Sequence, residues 1–270
     1  MSQSKSGCKN AQAEFSRFAK PLVDEALAHA AQGEPSPDDF HKLRVALRRL
    51  RTLIWAWRPL LGRKFADLER AYLKRPAAAA GEARDWDIAI SLLGDEQTKP
   101  DTERLQTARR DARARASSTL AAADLKHALR EMLRRVNREL NTSPRRTPIK
   151  CLARERVRAA RRALRKRMRR AQRANRGDYA PWHEVRKGAK RLRYLLEFFQ
   201  PVLRRRESRR VKSLRRLQDR FGALNDAVAT EHLLGQHREV FADAATADAA
   251  LAALKRERKR RRRAARELLG

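Results

Sequence analysis

An all-α fold is predicted by three features of this 270-residue chain. Ala, Leu, Arg and Glu dominate it, and all four favour helices. The 10 Gly and 10 Pro gather at a few places that punctuate the chain into segments. Alternating runs of β-branched residues, the mark of half-buried strands, are missing, and apolar residues recur at helical spacing instead. With 41% apolar residues the chain can bury a real core, either as one domain or as two halves.

The first helix is predicted from about Ala11 to Ala31, with Phe15, Phe18, Leu22, Val23 and Leu27 on one stripe and a stop at Gly33. GEPSPDD, residues 33 to 39, then places Pro37 and two acids at the start of a second helix, where the helix dipole favours negative charge. That helix runs to about Trp57 and is closed by Pro59 and Gly62. A third begins near Lys64, carries Phe65, Leu68 and Tyr72, and gives way around Pro76 and Gly81 to EARDWDIAI. A helix from about Pro100 to Leu120 and another from Leu125 to Leu140 follow. NTSPRRTP, residues 141 to 148, is the clearest linker and lies almost at the midpoint.

Beyond the linker, Ile149 to Arg173 carries the stripe Val157, Ala160, Leu164, Met168 and Ala171 on an otherwise basic surface. NRGDYAPW, residues 175 to 182, leads into the next helix. The last helix spans about Thr246 to Leu269 and ends in KRERKRRRRAAR, residues 255 to 266, too charged to bury more than a narrow stripe.

One eleven-residue pattern occurs twice, as HKLRVALRRLR from His41 to Arg51 and as HEVRKGAKRLR from His183 to Arg193. The match extends to Leu53, Pro59 and Leu61 against Leu195, Pro201 and Leu203. It has a second anchor downstream, where Gly81, Arg84 and Asp85 stand opposite Gly222, Asn225 and Asp226. An internal duplication is the first hypothesis. At about 100° per residue, Leu43, Leu47, Leu50, Leu53, Ile54 and Trp57 share one arc, and His41, Arg44, Arg48 and Arg51 share the other. In the second copy Val185, Ala189, Leu192, Leu195, Leu196 and Phe199 turn inward. His183, Arg186, Lys187, Lys190, Arg193 and Tyr194 turn outward, and Arg49 and Arg191 hold the flank in both copies.

Charge points to the partner. The chain carries 66 Lys+Arg against 32 Asp+Glu, a net charge of +34, so a polyanion is expected. Arg outnumbers Lys, and the guanidinium fork suits phosphate oxygens better than a point charge does. Cations at successive turns, about 5.4 Å apart, form a ladder that a flexible phosphate chain can follow. A merely solvated face would tolerate acids, yet none enters either basic arc before Glu197.

Three roles stand open for His41 and His183. A structural histidine bonded to backbone or to an acid such as Asp85 or Asp226 is one. A metal ligand is disfavoured, because position +3 is Arg in both copies and no second ligand stands at +4. A hydrogen-bond donor to an anionic oxygen fits best. Asp85 and Asp226 are read as orienting the motif cations, and no glycine-rich phosphate loop is present for nucleotide chemistry. Trp55, Trp57, Trp86 and Trp182 read as core or helix-start anchors, since 6% aromatic content gives base stacking little support. Cys8 and Cys151 are too few for a disulfide framework, and neither an apolar leader nor a spanning segment is seen, so a soluble cytoplasmic protein is expected.

H-x-x-R-x-x-x-[RK]-R-x-R in two copies, with the downstream G-x-x-R-D and G-x-x-N-D elements, resembles the CHAD domain, the conserved-histidine α-helical domain, from about Phe15 to Leu254. The resemblance implies two antiparallel four-helix bundles, residues 1–142 and 143–270, related by a pseudo-twofold axis and forming one domain with a basic central groove. It implies inorganic polyphosphate as ligand, association with polyphosphate granules, and neither catalysis nor a cofactor. By position it assigns binding to His41, Lys42, Arg44, Arg48, Arg49 and Arg51, then to His183, Arg186, Lys187, Lys190, Arg191 and Arg193, with Tyr194 beside them on the outward face. Lys74-Arg75-Pro76 departs from the family pattern, where an unbroken apolar helix is usual. The alternative partner is non-specific nucleic acid, held by a basic C-terminal tail at residues 255–266.

Overall fold

The computed structural model describes residues 9–30, 35–93, 101–142, 144, 146–175, 177–204 and 211–269, with the side chains of 211 and 212 excepted. Its helices are α1 (Ala11–Ala30), α2 (Pro37–Leu61), α3 (Arg63–Tyr72), α4 (Lys74–Leu92), α5 (Thr102–Ala122), α6 (Leu125–Thr142), α7 (Ile149–Gln172), α8 (Ala180–Phe198), α9 (Val211–Gln236) and α10 (Ala244–Arg266). A 3-10 turn, Arg238–Val240, precedes α10. The protein is all-α: among the described residues the one β-type pairing is an isolated bridge from Asn10 to Pro148. The stop expected at Gly33, the helix start expected at Pro100, and Cys8 lie outside the described residues.

The start of α2 is fixed locally. Ser36 Oγ accepts the Asp39 N–H at 3.2 Å, Asp39 Oδ2 accepts the Ser36 N–H at 2.9 Å, and Pro37 takes a first-turn position that needs no donor. The helix runs past Pro59 to Leu61 and ends at Gly62, the second of the two expected stops, with φ 74°. Pro59 cannot donate to the Trp55 carbonyl four residues back. Arg156 of α7 supplies that bond, its Nη2 donating to Trp55 O at 2.9 Å, so the chain keeps its helical path.

One further expectation is corrected. The break expected around Pro76 and Gly81 falls instead at Leu73, and α4 runs through both residues. Pro76 sits in the first turn, where its missing N–H costs nothing. On α3, Leu68 and Tyr72 are exposed and Phe65 is half-buried. Ala66 and Glu69 face inward, because buried Glu69 accepts from Arg135 of α6 at 2.8 and 3.0 Å.

In each half one motif helix is the centre of packing. α2 lies against α1, α3 and α4, and α4 against α5; α8 lies against α7 and α9, and α9 against α10. The halves meet where α4 packs on α9 and α2 on α8, and α6 covers α1. The core draws on both sides of the midpoint linker. The larger cluster joins Phe15, Leu50 and Trp57 to Val185, Leu195 and Phe199, and the smaller joins Trp86, Leu93 and Leu105 to Leu234, Phe241 and Leu254. The inward arcs of both motif helices are buried throughout, so their basic arcs are turned away from the core.

The C-terminal basic segment is not a tail. Residues 255–266 are the second half of α10, where Leu254 and Ala265 are buried, and Leu269 beyond them is buried too. The Leu269 carbonyl accepts from Gln172 Nε2 of α7. Several of its cations are engaged within the fold: Glu257 pairs with Arg260 and Arg261, Arg258 with Glu231, and Arg261 Nη1 donates to Ala223 O at 2.9 Å.

Candidate functional site

The basic arcs of α2 and α8 open onto one cavity of about 400 Å³. α2 contributes Arg44, Arg48, Arg51 and Thr52 to its lining, and α8 contributes His183, Arg186, Lys187, Lys190, Arg191 and Tyr194. α3 adds Arg70, α4 adds Asp85, and α9 adds Asn225 and Ala229. Eight Lys and Arg side chains thus surround a space lined by a single carboxylate.

Acids hold the two cations nearest the inner wall. Arg44 Nη1 donates to Asp85 Oδ1 at 3.3 Å, and Arg186 Nη2 stands 3.8 Å from Asp226 Oδ1. Arg44 also lies flat on Gly81: a Cβ there would meet its Cζ at 3.2 Å, which is why glycine occupies the middle of α4. Burial outweighs Arg44 at Asp85 and raises its carboxyl above the ordinary range.

Crowded like charges in a half-buried space shift the cations themselves. Burial, then Arg186, Arg48 and Arg44, bring the Lys190 ammonium down to about 6. Burial and neighbouring guanidiniums bring Arg48 and Arg191 to about 10, so both stay charged at neutral pH. Arg186 is lowered mainly by burial. Arg51 Nε and Arg186 Nε are buried without a hydrogen-bond partner. Such an assembly is electrostatically unfavourable when empty and is relieved by a multiply charged anion.

The two histidines differ. His183 Nδ1 lies 2.9 Å from Asn225 Oδ1, and Tyr179 Oη donates to the same oxygen at 3.0 Å. Asn225 Nδ2 donates to Asp226 Oδ1 at 3.4 Å, which fixes the amide orientation. His183 therefore carries its hydrogen on Nδ1, and Nε2 is the atom left for a ligand. Its partner is Asn225, not the Asp226 carboxylate considered from sequence. Burial lowers the pKa of both histidines, with Lys187 and Arg186 adding to the effect at His183 and Arg84 and Arg44 at His41. His41 is partly covered but more open to solvent than His183, and it stands outside the cavity lining.

Three other sequence candidates also stand outside that lining. Lys42 is exposed and paired with Asp38 at 2.5 Å. Arg49 crosses to α8, its Nη2 3.9 Å from Glu197 Oε2 and its guanidinium 5.6 Å from the Phe198 ring. Arg193 Nε is 3.5 Å from Glu197 Oε1, with its guanidinium 5.1 Å from the Tyr194 ring. Glu197, the one acid that enters the basic arc, draws both arginines into the α2–α8 contact. Tyr194 is only 2% exposed and forms a wall of the cavity more than an outward face.

Arg70 was missed from sequence, since nothing in the α3 spacing marks it; Asp67 and the Arg51 carbonyl hold it in place. Trp57, Trp86 and Trp182 are buried as read, whereas half-buried Trp55 has guanidiniums against its ring. Arg156 lies 3.8 Å and Arg191 4.7 Å from its centroid. Among the described residues, no three His, Cys, Asp or Glu side chains come together as a metal site, and no helix is long and apolar enough to cross a membrane.

The all-α scaffold is shared with known proteins. Residues 18–235 match the CHAD domain, and the chain belongs to that family, which is linked to polyphosphate binding. The crystal structure of the CHAD domain from the plant Ricinus communis superposes with a TM-score of 0.76 at 23% identity, covering 100% of this chain and 94% of that one. PptA from Streptomyces chartreusis gives a TM-score of 0.65 at 16% identity, covering 97% of this chain and 98% of that one. At these identities the likeness is one of fold. No curated protein matches the chain.

Proposed function

We propose that this protein binds inorganic polyphosphate in the cleft between α2 and α8, without turning it over, and that this binding associates it with polyphosphate granules. The observation that carries the reading is convergence: Arg44, Arg48 and Arg51 of one helix and Arg186, Lys190 and Arg191 of another line the same cavity. Polyphosphate has no bases to read, only a flexible row of anionic oxygens, so cation density and shape suffice. Family membership supports the same ligand class. Nucleic acid held by the end of α10 is the weaker reading, because several of those cations are engaged by Glu257, Glu231 and the Ala223 carbonyl.

The test is a titration at fixed ionic strength with polyphosphate, competed by DNA. Replacing Arg44, Arg48, Arg186 and Lys190 by Ala is expected to weaken polyphosphate binding strongly while far-UV circular dichroism stays helical. Unchanged affinity overturns the cleft as the site. Phosphate released during incubation with Mg²⁺ overturns the non-catalytic part.

Gly81→Ala separates binding from stability. Ala favours the helix interior by up to about 1 kcal/mol over Gly. Its Cβ, however, presses on the Arg44 guanidinium at 3.2 Å and tilts it off Asp85. The expected result is an unchanged or higher melting temperature with affinity lowered several-fold, read from a melt and a titration of the same preparation.

A further inference from the structure

α7 and α1 occupy corresponding places, each packing on the motif helix that follows it in the chain. Their surfaces are opposite in character. α1 mixes Arg17 and Lys20 with Glu14, Asp24 and Glu25, and its two cations are paired with Glu14 and Asp24. α7 holds a single acid, Glu155, among many Arg and Lys. Packing on a motif helix therefore does not require that charge, since α1 does without it. The helix dipole favours cations at a C-terminus, which accounts for Arg169, Arg170 and the cap residue Arg173 but not for Lys166.

The cations of α7 form a path that starts at the cleft. Arg191 lines the cleft, and Arg167 is the neighbouring charge that presses most on it. Gly188 of α8 lets Arg167 come close, because a Cβ there would meet Arg167 Nη1 at 3.2 Å. Outward from Arg167, a cavity of about 280 Å³ is bordered by Lys166, Arg170 and Glu184. A larger one of about 760 Å³ follows, bordered by Lys166, Arg169, Arg170 and Arg173 with one acid, Asp178, and sharing Lys166, Arg170 and Pro181 with the first. Among the described residues, none of these four outer cations is ion-paired to a carboxylate, in contrast to Arg109, Arg113 and Arg115 of α5, which Asp87 and Glu82 engage.

On the opposite side the cations are interrupted beside the cleft, and Lys255, Arg258 and Lys259 of α10 are met only beyond Tyr179 and Val228. The cavity of about 660 Å³ that shares Asp85, His183, Asn225 and Ala229 with the cleft has no Lys or Arg in its lining and includes Glu82.

We infer that α7 is a second, outer binding segment for inorganic polyphosphate, over which a chain too long for the cleft leaves it in one direction, past Arg167 to Arg173. The inference rests on the cleft reading above. It makes affinity depend on chain length, because only a long chain reaches both segments.

The experiment compares tripolyphosphate with a long polyphosphate on three full-length proteins: wild type, Lys166→Ala/Arg169→Ala/Arg170→Ala/Arg173→Ala, and a control that removes the same charges from exposed positions of α10, Arg256→Ala/Lys259→Ala/Arg263→Ala/Arg266→Ala. The α7 variant is expected to lose roughly tenfold or more in affinity for the long chain, with its log–log salt slope reduced by about 3. Tripolyphosphate affinity stays within about twofold of wild type, because one short anion engages only the cleft. Equal losses in the α7 and α10 variants, equal losses for both ligands, or no loss for the long chain each overturn the path. The Arg44/Arg48/Arg186/Lys190 variant tells the two readings apart. If it keeps wild-type affinity for tripolyphosphate, the cleft reading has failed and the path with it; if it loses that affinity while the α7 variant binds the long chain normally, only the path has failed.

Discussion

Polyphosphate affinity is expected to rise as the pH falls from 8 to 6, by up to about tenfold per unit. Lys190 is the cause. Burial and three surrounding arginines hold its ammonium at about 6, so in the empty cleft above that pH it is largely neutral. A phosphate chain in the cleft adds negative charge beside it and returns the amine toward its ordinary value of about 10.4. Between those two values the complex carries one proton more than the free protein. The contribution is therefore full below about 6 and is lost progressively as the pH rises toward the value in the complex.

His183 adds to this at the acid end. Its Nδ1–H is committed to Asn225, so Nε2 can donate to a phosphate oxygen only when the ring becomes imidazolium, which its lowered pKa defers to more acid solution. The measurement is a series of titrations with long chains, whose internal phosphates stay ionised while the ends titrate. Lys190→Arg is expected to flatten the profile above pH 7, because the guanidinium keeps its charge there. A wild-type affinity that is flat, or that rises with pH, overturns this account of Lys190.

Trp57→Ala is expected to lower the unfolding free energy by about 3–5 kcal/mol. For a domain of this size that corresponds to a fall in Tm of roughly 6–20 °C. Trp57 is fully buried, edge-on to Phe15 at 5.6 Å and stacked on Phe199 at 5.6 Å, so it joins α1, the end of α2 and the end of α8. Its Nε1 donates to the Ala11 carbonyl at 2.7 Å, and the Ala11 N–H donates to Thr147 of the linker at 2.7 Å. Truncation therefore empties an aromatic cluster and removes the indole's bond to that carbonyl where the two halves of the chain meet. Trp57→Phe keeps most of the apolar volume and loses only the indole bond, so it is expected to cost about 1–2 kcal/mol. Thermal melts of the three proteins check the order; an alanine variant as stable as the phenylalanine one contradicts it.

Helix type and the two faces of each motif helix were legible in the sequence, because period 3.6 is a local property that Leu43 to Trp57 and Val185 to Phe199 obey without exception. What was not legible came from other helices. Nothing within α4 shows that Gly81 is there to receive Arg44, so glycine reads as a break. Pro59 reads as a stop until Arg156 supplies the donor it lacks. In α3 the inward face is set from outside the helix, by the pairing of Glu69 with Arg135, and Leu68 and Tyr72 are left exposed. The same limit applies to the cleft. Arg44, Arg48, Arg186 and Lys190 follow from the arc, whereas Arg49 and Arg193 are diverted by Glu197, and Arg70 arrives from a helix with no repeat to mark it.

The bond from Arg156 to the Trp55 carbonyl has a consequence for the history of the sequence. Pro59 and Arg156 lie almost a hundred positions apart, yet each is neutral or harmful according to the other. With proline in place, loss of the arginine leaves a buried carbonyl unanswered and a cation gone from the Trp55 ring. With a donor-bearing residue at 59, the carbonyl no longer needs the guanidinium. Mutations along a lineage are thus constrained in order: the arginine has to be present before the proline is accepted, and the proline has to leave before the arginine can. Relatives that depart at one of these positions are the ones in which to look for change at the other.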